Sequence, residues 1–214
     1  RAGIVGEDGA THQGLFDIAF LRHIPDLVLM APRDAEELGM MLRLSLRHNG
    51  PSAIRYPRGK IPQNGESGMR NAELKIGEAE VLIEGDDIAI IALGNTVSAA
   101  IKAAEMLAGD GIRPCVVNAR FIKPLDKVTI ISLAGVTRRI VTVEEGVVAG
   151  GFGSAVLECL NNAGMTDVVV SMVGIGDEFV EHGPQSLLRK KYKLDEAGIY
   201  SACRTLFASH PSHL

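Results

Sequence analysis

The fold is decided by the stretch Ile88-Ala-Ile-Ile-Ala-Leu-Gly-Asn-Thr-Val97, in which six apolar residues run into a Gly-Asn-Thr turn. A short apolar run bounded by turn residues is typical of a buried strand. From Val97 onward, apolar residues recur at Ile101, Ala104 and Ala108, a spacing that predicts a helix. The stretch is therefore one strand-turn-helix unit of an α/β protein.

The same unit recurs along the second half of the chain. Strands that alternate with helices are joined by right-handed crossovers into a parallel sheet. We predict a complete α/β domain with a mainly parallel sheet, built from strands at 88–93, 114–118, 139–144 and 168–173 and helices at 97–108, 126–134, 152–163, 184–191 and 195–207.

The first half of the chain carries fewer elements. A helix at 15–24 is apolar on nearly every side, which is typical of burial in a core or at a subunit contact. Asp34 caps a second helix, with Glu37 at the capping-box position, and strands are predicted at 27–31 and 52–56. Two strands are too few for an independent sheet.

The chain begins at Arg1 without a methionine and with no strand before its first loop. We therefore expect it to be part of a longer protein. The predicted organisation is an incomplete first domain at 1–62, a Gly-containing linker without regular periodicity at 63–78 and a second domain at 79–214.

Composition excludes several classes of function. A net charge of −4 without a basic run argues against a nucleic-acid partner. The apolar runs are too short to cross a bilayer, so no membrane association is expected. Cys115, Cys159 and Cys203 lie far apart and form neither a zinc pattern nor a disulfide framework, which favours a reducing, cytoplasmic location.

The loop at 1–14 is the candidate site. It holds Arg1, Asp8, Thr11 and His12 among glycines that let a ligand approach the backbone. Arg58 follows the strand at 52–56, at the sheet edge where α/β proteins place their ligands. Guanidinium groups bind phosphate bidentately, although ordinary salt bridges within the domain, or a polar surface turn, would give the same pattern.

Other motifs are interpreted structurally. Gly150-Gly-Phe-Gly153 lacks the Lys-Ser/Thr ending of a phosphate loop and is interpreted as a strand-to-helix turn. Glu144 and Glu145 are adjacent on a strand and so point to opposite faces, which argues against a shared site. His182 has no spaced set of further ligands, and no metal site is predicted.

Several segments match one known family: Arg1-Ala-Gly-Ile-Val-Gly6, Asp8-Gly-x-Thr-His12, Arg55-Tyr-Pro-Arg-Gly59, Arg120-Phe-Ile-Lys-Pro-Leu-Asp126, and Val143-Glu-Glu145 followed by Gly150-Gly-x-Gly153. On these segments, nearly the whole chain resembles the 1-deoxy-D-xylulose-5-phosphate synthases. The Thr-His loop combined with the Arg-Tyr-Pro-Arg-Gly run is specific, because transketolases share the first element but not the second.

The resemblance implies a transferase that depends on thiamine diphosphate and Mg. Such an enzyme condenses pyruvate, with decarboxylation, and D-glyceraldehyde 3-phosphate for isoprenoid and thiamine synthesis, and it is a homodimer. In fold, the resemblance implies the last part of a pyrimidine-binding transketolase-like domain followed by a complete transketolase C-terminal domain.

Position by position, the resemblance implies that Arg1 and Arg58 bind the phosphate of the acceptor substrate and that Asp8 and His12 are catalytic. The resemblance also implies that the residues for the cofactor and its metal lie upstream of Arg1, so this chain alone is expected to be inactive. Two alternatives stay open: the β subunit of a 2-oxoacid dehydrogenase or another transketolase-like enzyme, and a dimerisation module without activity.

Overall fold

The computed structural model describes residues 1–59 and 74–209. Most of the predicted linker lies outside these residues, as do His210 and His213. In chain order the helices and strands are α1 (Asp17–Leu21), β1 (Val28–Met30), α2 (Ala35–Arg47), β2 (Ser52–Ile54), β3 (Glu80–Ile83), β4 (Ile88–Ala92), α3 (Val97–Gly109), β5 (Pro114–Asn118), β6 (Phe121–Lys123), α4 (Lys127–Thr137), β7 (Arg139–Val147), α5 (Phe152–Asn162), β8 (Val169–Ile175), α6 (Gln185–Lys191) and α7 (Glu196–Ser209).

The larger sheet has the strand order β3-β5-β4-β7-β8. All neighbouring pairs are parallel except β3 with β5, so the prediction of an α/β fold with a mainly parallel sheet is confirmed. Strand β4 is buried along its whole length. Its residues alternate in partner: Ile88 and Ile90 pack toward α3 and α7, whereas Ala89 and Ile91 pack toward α4 and α5.

The smaller sheet joins the two halves of the chain. Its order is β2-β1-β6, with β1 parallel to β2 and antiparallel to β6. The sequence pattern did not predict β3 or β6. Strand β6 is only three residues long, a length at which apolar periodicity carries little information. Its Phe121 is fully buried against Val28, Met30 and Met41 of the first half.

The first predicted helix is corrected by the structure. Helix α1 covers Asp17–Leu21 and not 15–24. The carbonyl of Leu15 accepts a hydrogen bond of 2.9 Å from the N–H of Val147, so this residue is committed to β7 and not to a helix. Ile18 is buried but Phe20 is 60% exposed, so burial within the core of this chain is wrong for the helix as a whole. The subunit contact stays a prediction.

A buried ion-pair network fixes the first half against the second. The Glu37 carboxylate, 4% exposed, accepts from Asn118 Nδ2 at 2.9 Å and from Arg120 Nε at 2.7 Å. Arg120 also reaches Glu80 at 2.7 Å. As predicted, Asp34 caps α2 by accepting from the N–H of Glu37. In a capping box the Glu37 side chain would accept from the N–H of Asp34 itself. Here it accepts from the N–H of Arg33, one residue before the cap.

Replacing Glu37 tests this network. Glu37→Ala would leave the buried Asn118 amide without its acceptor and Arg120, 18% exposed, with Glu80 as its remaining carboxylate. Leaving a buried donor without its acceptor costs about 1 to 3 kcal/mol. We expect a loss of that size in the free energy of unfolding, measured by denaturant titration of the protein. The neighbouring Glu36 is exposed, so Glu36→Ala should change stability by less than about 0.5 kcal/mol. Equal effects of the two substitutions would contradict the network's role.

Candidate functional site

The backbone closes the loop at 1–14 and attaches it to the segment that carries Arg58. Gly3 and Gly14 exchange two hydrogen bonds, of 2.7 and 2.9 Å, between their N–H and C=O groups. The N–H of Ala2 donates to the carbonyl of Tyr56 at 2.9 Å. The start of the loop therefore runs beside the end of β2, which brings Arg1 and Arg58 to one place.

Asp8 lies between the two arginines. Its Oδ2 accepts from Arg1 Nη1 at 2.9 Å and from Arg58 Nη1 at 2.8 Å. The side chains are 49% exposed for Arg1, 47% for Arg58 and 33% for Asp8, so a solute can reach the cluster. Its formal charge is positive, because two guanidinium groups face one carboxylate. The structure thus brings together three of the four predicted site residues.

The charges of the cluster set the ionisation of Asp8. Partial desolvation raises the pKa of this carboxyl, but the charges of Arg58 and Arg1 and their hydrogen bonds outweigh it, so the pKa lies below 3.8. Because the pKa is lowered, the stabilisation from the ion pairs is present above the ordinary pKa of 3.8 and is lost as the pH falls through the lowered value.

His12 is exposed on the same loop, and its N–H donates to the carbonyl of Gly9 at 3.0 Å. Its Nδ1 lies 3.0 Å from the Thr11 hydroxyl. In a protonated ring both nitrogens donate, so Thr11 can accept from Nδ1 while Nε2 carries a proton outward. The neighbour that orients the imidazole is therefore Thr11, whereas Asp8 is bound to the arginines.

Arg55 anchors the loop that carries the site, a role that its place in the sequence motif did not predict. Its side chain is 4% exposed. Nε donates to Asp17 Oδ2 at 2.8 Å, and Nη2 donates to the carbonyls of Gly14 at 3.2 Å and Glu145 at 2.5 Å. One guanidinium thus ties the end of the loop to α1 and β7.

The paired glutamates of β7 serve opposite faces of the strand, as predicted. Glu144 accepts 2.8 Å hydrogen bonds from the N–H groups of Phe152 and Gly153 at the start of α5. Glu145 pairs with Arg189 Nε at 2.8 Å and with the amide of Asn95. Burial raises the pKa of the Glu144 carboxyl, against the effect of the two N–H donors. Since Glu144 occupies these donors, the Gly150–Gly153 turn is not a phosphate loop.

A cavity of about 540 Å³ lies beside the cluster, and Arg58 is one of the residues that line it. Its wall carries Arg33, Asn95, Gln185 and Arg189. His182 is exposed in its loop. Within 1–59 and 74–209, no group of three His, Cys, Asp or Glu side chains can hold a metal ion. No helix in the same residues has the length and apolarity needed to cross a membrane.

Two protein-family models match this chain. The transketolase C-terminal domain model matches residues 77–199, and the transketolase pyrimidine binding domain model matches residues 1–63. The chain belongs to the transketolase family. The two domain types are those that the sequence resemblance implied, and the fold prediction is confirmed at this level.

Curated proteins of similar sequence show which enzymes of the transketolase family this chain resembles. It is 55% identical over 197 residues to 1-deoxy-D-xylulose-5-phosphate synthase of Desulforudis audaxviator, covering 91% of the chain and 30% of that protein. It is 51% identical over 212 residues to synthase 1 of Geobacter sulfurreducens, covering 98% and 33%. The resemblance to this synthase is thereby confirmed. The chain spans about a third of the length of these relatives.

A solved structure agrees with the fold. It is titled "Split gene transketolase, inactive beta4 tetramer", and it superposes with a TM-score of 0.83 at 32% sequence identity. The match covers 93% of this chain and 63% of that chain.

Titration of Asp8 tests the cluster. Replacing Arg58 by Gln removes a positive charge that favours the carboxylate, so we expect the pKa of Asp8 to rise toward 3.8. The carboxyl carbon chemical shift, followed by NMR against pH, measures this. Asp110, whose pKa is lowered mainly by the Tyr200 hydroxyl, is the internal control and should not change. An Asp8 curve identical in both proteins would contradict the pairing.

Proposed function

We propose that this chain is the C-terminal portion of a 1-deoxy-D-xylulose-5-phosphate synthase, a transferase that condenses pyruvate, with loss of carbon dioxide, and D-glyceraldehyde 3-phosphate. The observation that carries the proposal is the cluster in which Arg1 and Arg58 converge on Asp8. The identity of about half of its residues to named synthases supports the same function.

In this proposal the two arginines bind the phosphate of the aldehyde substrate. Each guanidinium has five N–H donors, and the bond to Asp8 uses one nitrogen of each. Among the described residues no other group accepts from these two side chains. Their remaining donors are therefore available to phosphate oxygens, and charge-assisted bonds of this kind are the stronger class. Asp8 holds the two guanidinium groups at a fixed separation in the absence of substrate.

His12 is the proposed acid. Formation of the carbon–carbon bond turns the carbonyl oxygen of the aldehyde into an alkoxide, which needs a proton. A protonated imidazole is suited to this at neutral pH. The contact between Nδ1 and the Thr11 hydroxyl orients the ring, so that Nε2 is the nitrogen that would deliver the proton.

Within residues 1–59 and 74–209, no group of three His, Cys, Asp or Glu side chains can hold the Mg that accompanies a diphosphate. The N–H groups that start α5 are occupied by Glu144. We therefore propose that cofactor and metal are bound by residues outside this chain, as the resemblance implies.

Two further parts of the proposal concern assembly. The solved relative of 32% identity is titled as an inactive β4 tetramer, which supports the expectation that this chain alone is inactive. Phe16 and Phe179 meet edge to face with their ring centroids 5.8 Å apart. Phe20, whose N–H donates to the carbonyl of Phe16 at 3.4 Å, is 60% exposed. An exposed aromatic patch of this kind favours contact with a second subunit, in a homodimer.

Product formation tests the function. The full-length protein, supplied with thiamine diphosphate, Mg, pyruvate and D-glyceraldehyde 3-phosphate, should release carbon dioxide and form 1-deoxy-D-xylulose 5-phosphate. The isolated 214-residue chain should do neither. Mass spectrometry of the product and trapping of carbon dioxide measure both. Turnover by the isolated chain, or a different product from the full-length protein, would contradict the proposal.

Replacing His12 tests the acid. In the full-length protein, His12→Ala should lower kcat for condensation by about 10²- to 10⁴-fold, the usual contribution of a general acid. The KM for pyruvate should stay within about twofold, because no step of pyruvate binding is assigned to His12. The exposed His182 provides the matched control, since His182→Ala should leave kcat unchanged. An unchanged kcat in His12→Ala would exclude this role.

A further inference from the structure

Gln185 connects the two segments that carry the arginines. It is the first residue of α6, in the second half of the chain. Its Nε2 donates to the carbonyl of Ile4 at 2.6 Å and to the carbonyl of Arg58 at 2.8 Å. Ile4 belongs to the loop that begins at Arg1, so one amide nitrogen holds both arginine-bearing segments.

The chemistry of the amide suits this contact closely. A primary amide carries two N–H donors on one nitrogen without a charge, and here each donor meets one carbonyl. Glutamate at position 185 would offer oxygen atoms to two carbonyl oxygens. Asparagine would be one methylene too short to reach both. Of these three side chains, only glutamine can donate to both carbonyls from position 185.

The loop is shaped around this side chain. Gly6 has φ +96, and a Cβ there would lie 3.0 Å from Gln185 Cγ and 3.2 Å from the carbonyl of Gly183. The absence of a side chain at Gly6 thus leaves the space that Gln185 fills. Across from it, a Cβ at Gly59 would lie 3.6 Å from Gln185 Oε1.

Helix α6 is itself held in place. Leu188 is 4% exposed within the core of the second half. Arg189 Nε pairs at 2.8 Å with Glu145, which is buried in β7. Gln13 adds a second link, because it accepts from the N–H of Val5 at 2.6 Å and donates to the carbonyl of Glu181 at 3.0 Å. The support for Gln185 therefore extends to the central sheet.

We propose that Gln185 is a positioning residue for the phosphate of the aldehyde substrate, acting through the backbone of Ile4 and Arg58. It sets the separation of the backbone segments that carry Arg1 and Arg58, whose guanidinium groups Asp8 bridges, and it acts without touching substrate. This inference rests on the proposed function of the cluster, because it takes the phosphate to bind at the two arginines.

The experiment uses the full-length protein with Gln185→Met, which keeps the length of the side chain and removes both donors. We expect the KM for D-glyceraldehyde 3-phosphate to rise about tenfold, as for the loss of two ordinary hydrogen bonds, with the KM for pyruvate within about twofold. The dissociation constant of D-glyceraldehyde 3-phosphate, measured by calorimetry without pyruvate, should rise by the same factor. Gln185→Asn should give a smaller rise, and it replaces Gln185→Met should that variant fail to fold.

Two variants frame the result. Arg58→Gln removes a phosphate ligand directly and should raise the same KM at least as much. Leu187→Ala changes a 62% exposed residue of the same helix and should change neither constant. An unchanged KM and dissociation constant in Gln185→Met, or an equal rise in the KM for both substrates, would overturn the inference.

Failure of the proposed function gives a different result. A wild-type protein that binds D-glyceraldehyde 3-phosphate but forms no 1-deoxy-D-xylulose 5-phosphate contradicts the synthase assignment, and the calorimetric comparison alone then decides the role of Gln185. A wild-type protein that does not bind the phosphorylated aldehyde overturns both.

Discussion

The arrangement of the site depends on one buried cation, the guanidinium of Arg55. Its bonds to Asp17 and to the carbonyls of Gly14 and Glu145 hold the loop, the first helix and the central sheet together. An isolated charge in the interior would be costly, and here the carboxylate and the carbonyls compensate for it. Loss of the Asp17 carboxylate would leave that charge compensated by the two carbonyls alone, so the loop geometry and the stability of the fold are coupled.

The second half of the chain could be predicted from the sequence because local periodicity determines its elements. Strand β4 is predicted by an uninterrupted apolar run, which is typical of a strand that is covered on both faces. The helix cap at Asp34, in the first half of the chain, could be predicted for the same reason, because it depends on a residue only three positions away. Strands β3 and β6 were missed, since each is short and exists only because a partner strand from elsewhere in the chain lies beside it.

The candidate site, too, could be predicted from the sequence only in part. Its residue types, and the pairing of Arg1 with Arg58, followed from the guanidinium chemistry and from the resemblance. That Asp8 would bridge them was not predictable, because the contact spans fifty positions of sequence. Gln185 lies 127 positions after Arg58, and the residues around it in the sequence form no motif. Only the fold shows that its amide faces the two carbonyls.

Strand β6 also limits how this polypeptide can be divided by evolution or in the laboratory. It follows β5 in the second half, yet it is hydrogen-bonded to β1 and contributes Phe121 to the core of the first half. A gene split between 62 and 79 would separate Phe121 from Val28 and Met30, and each product would expose an apolar strand edge. The two halves therefore depend on each other for the burial of Phe121 and for the pairing of β1 with β6.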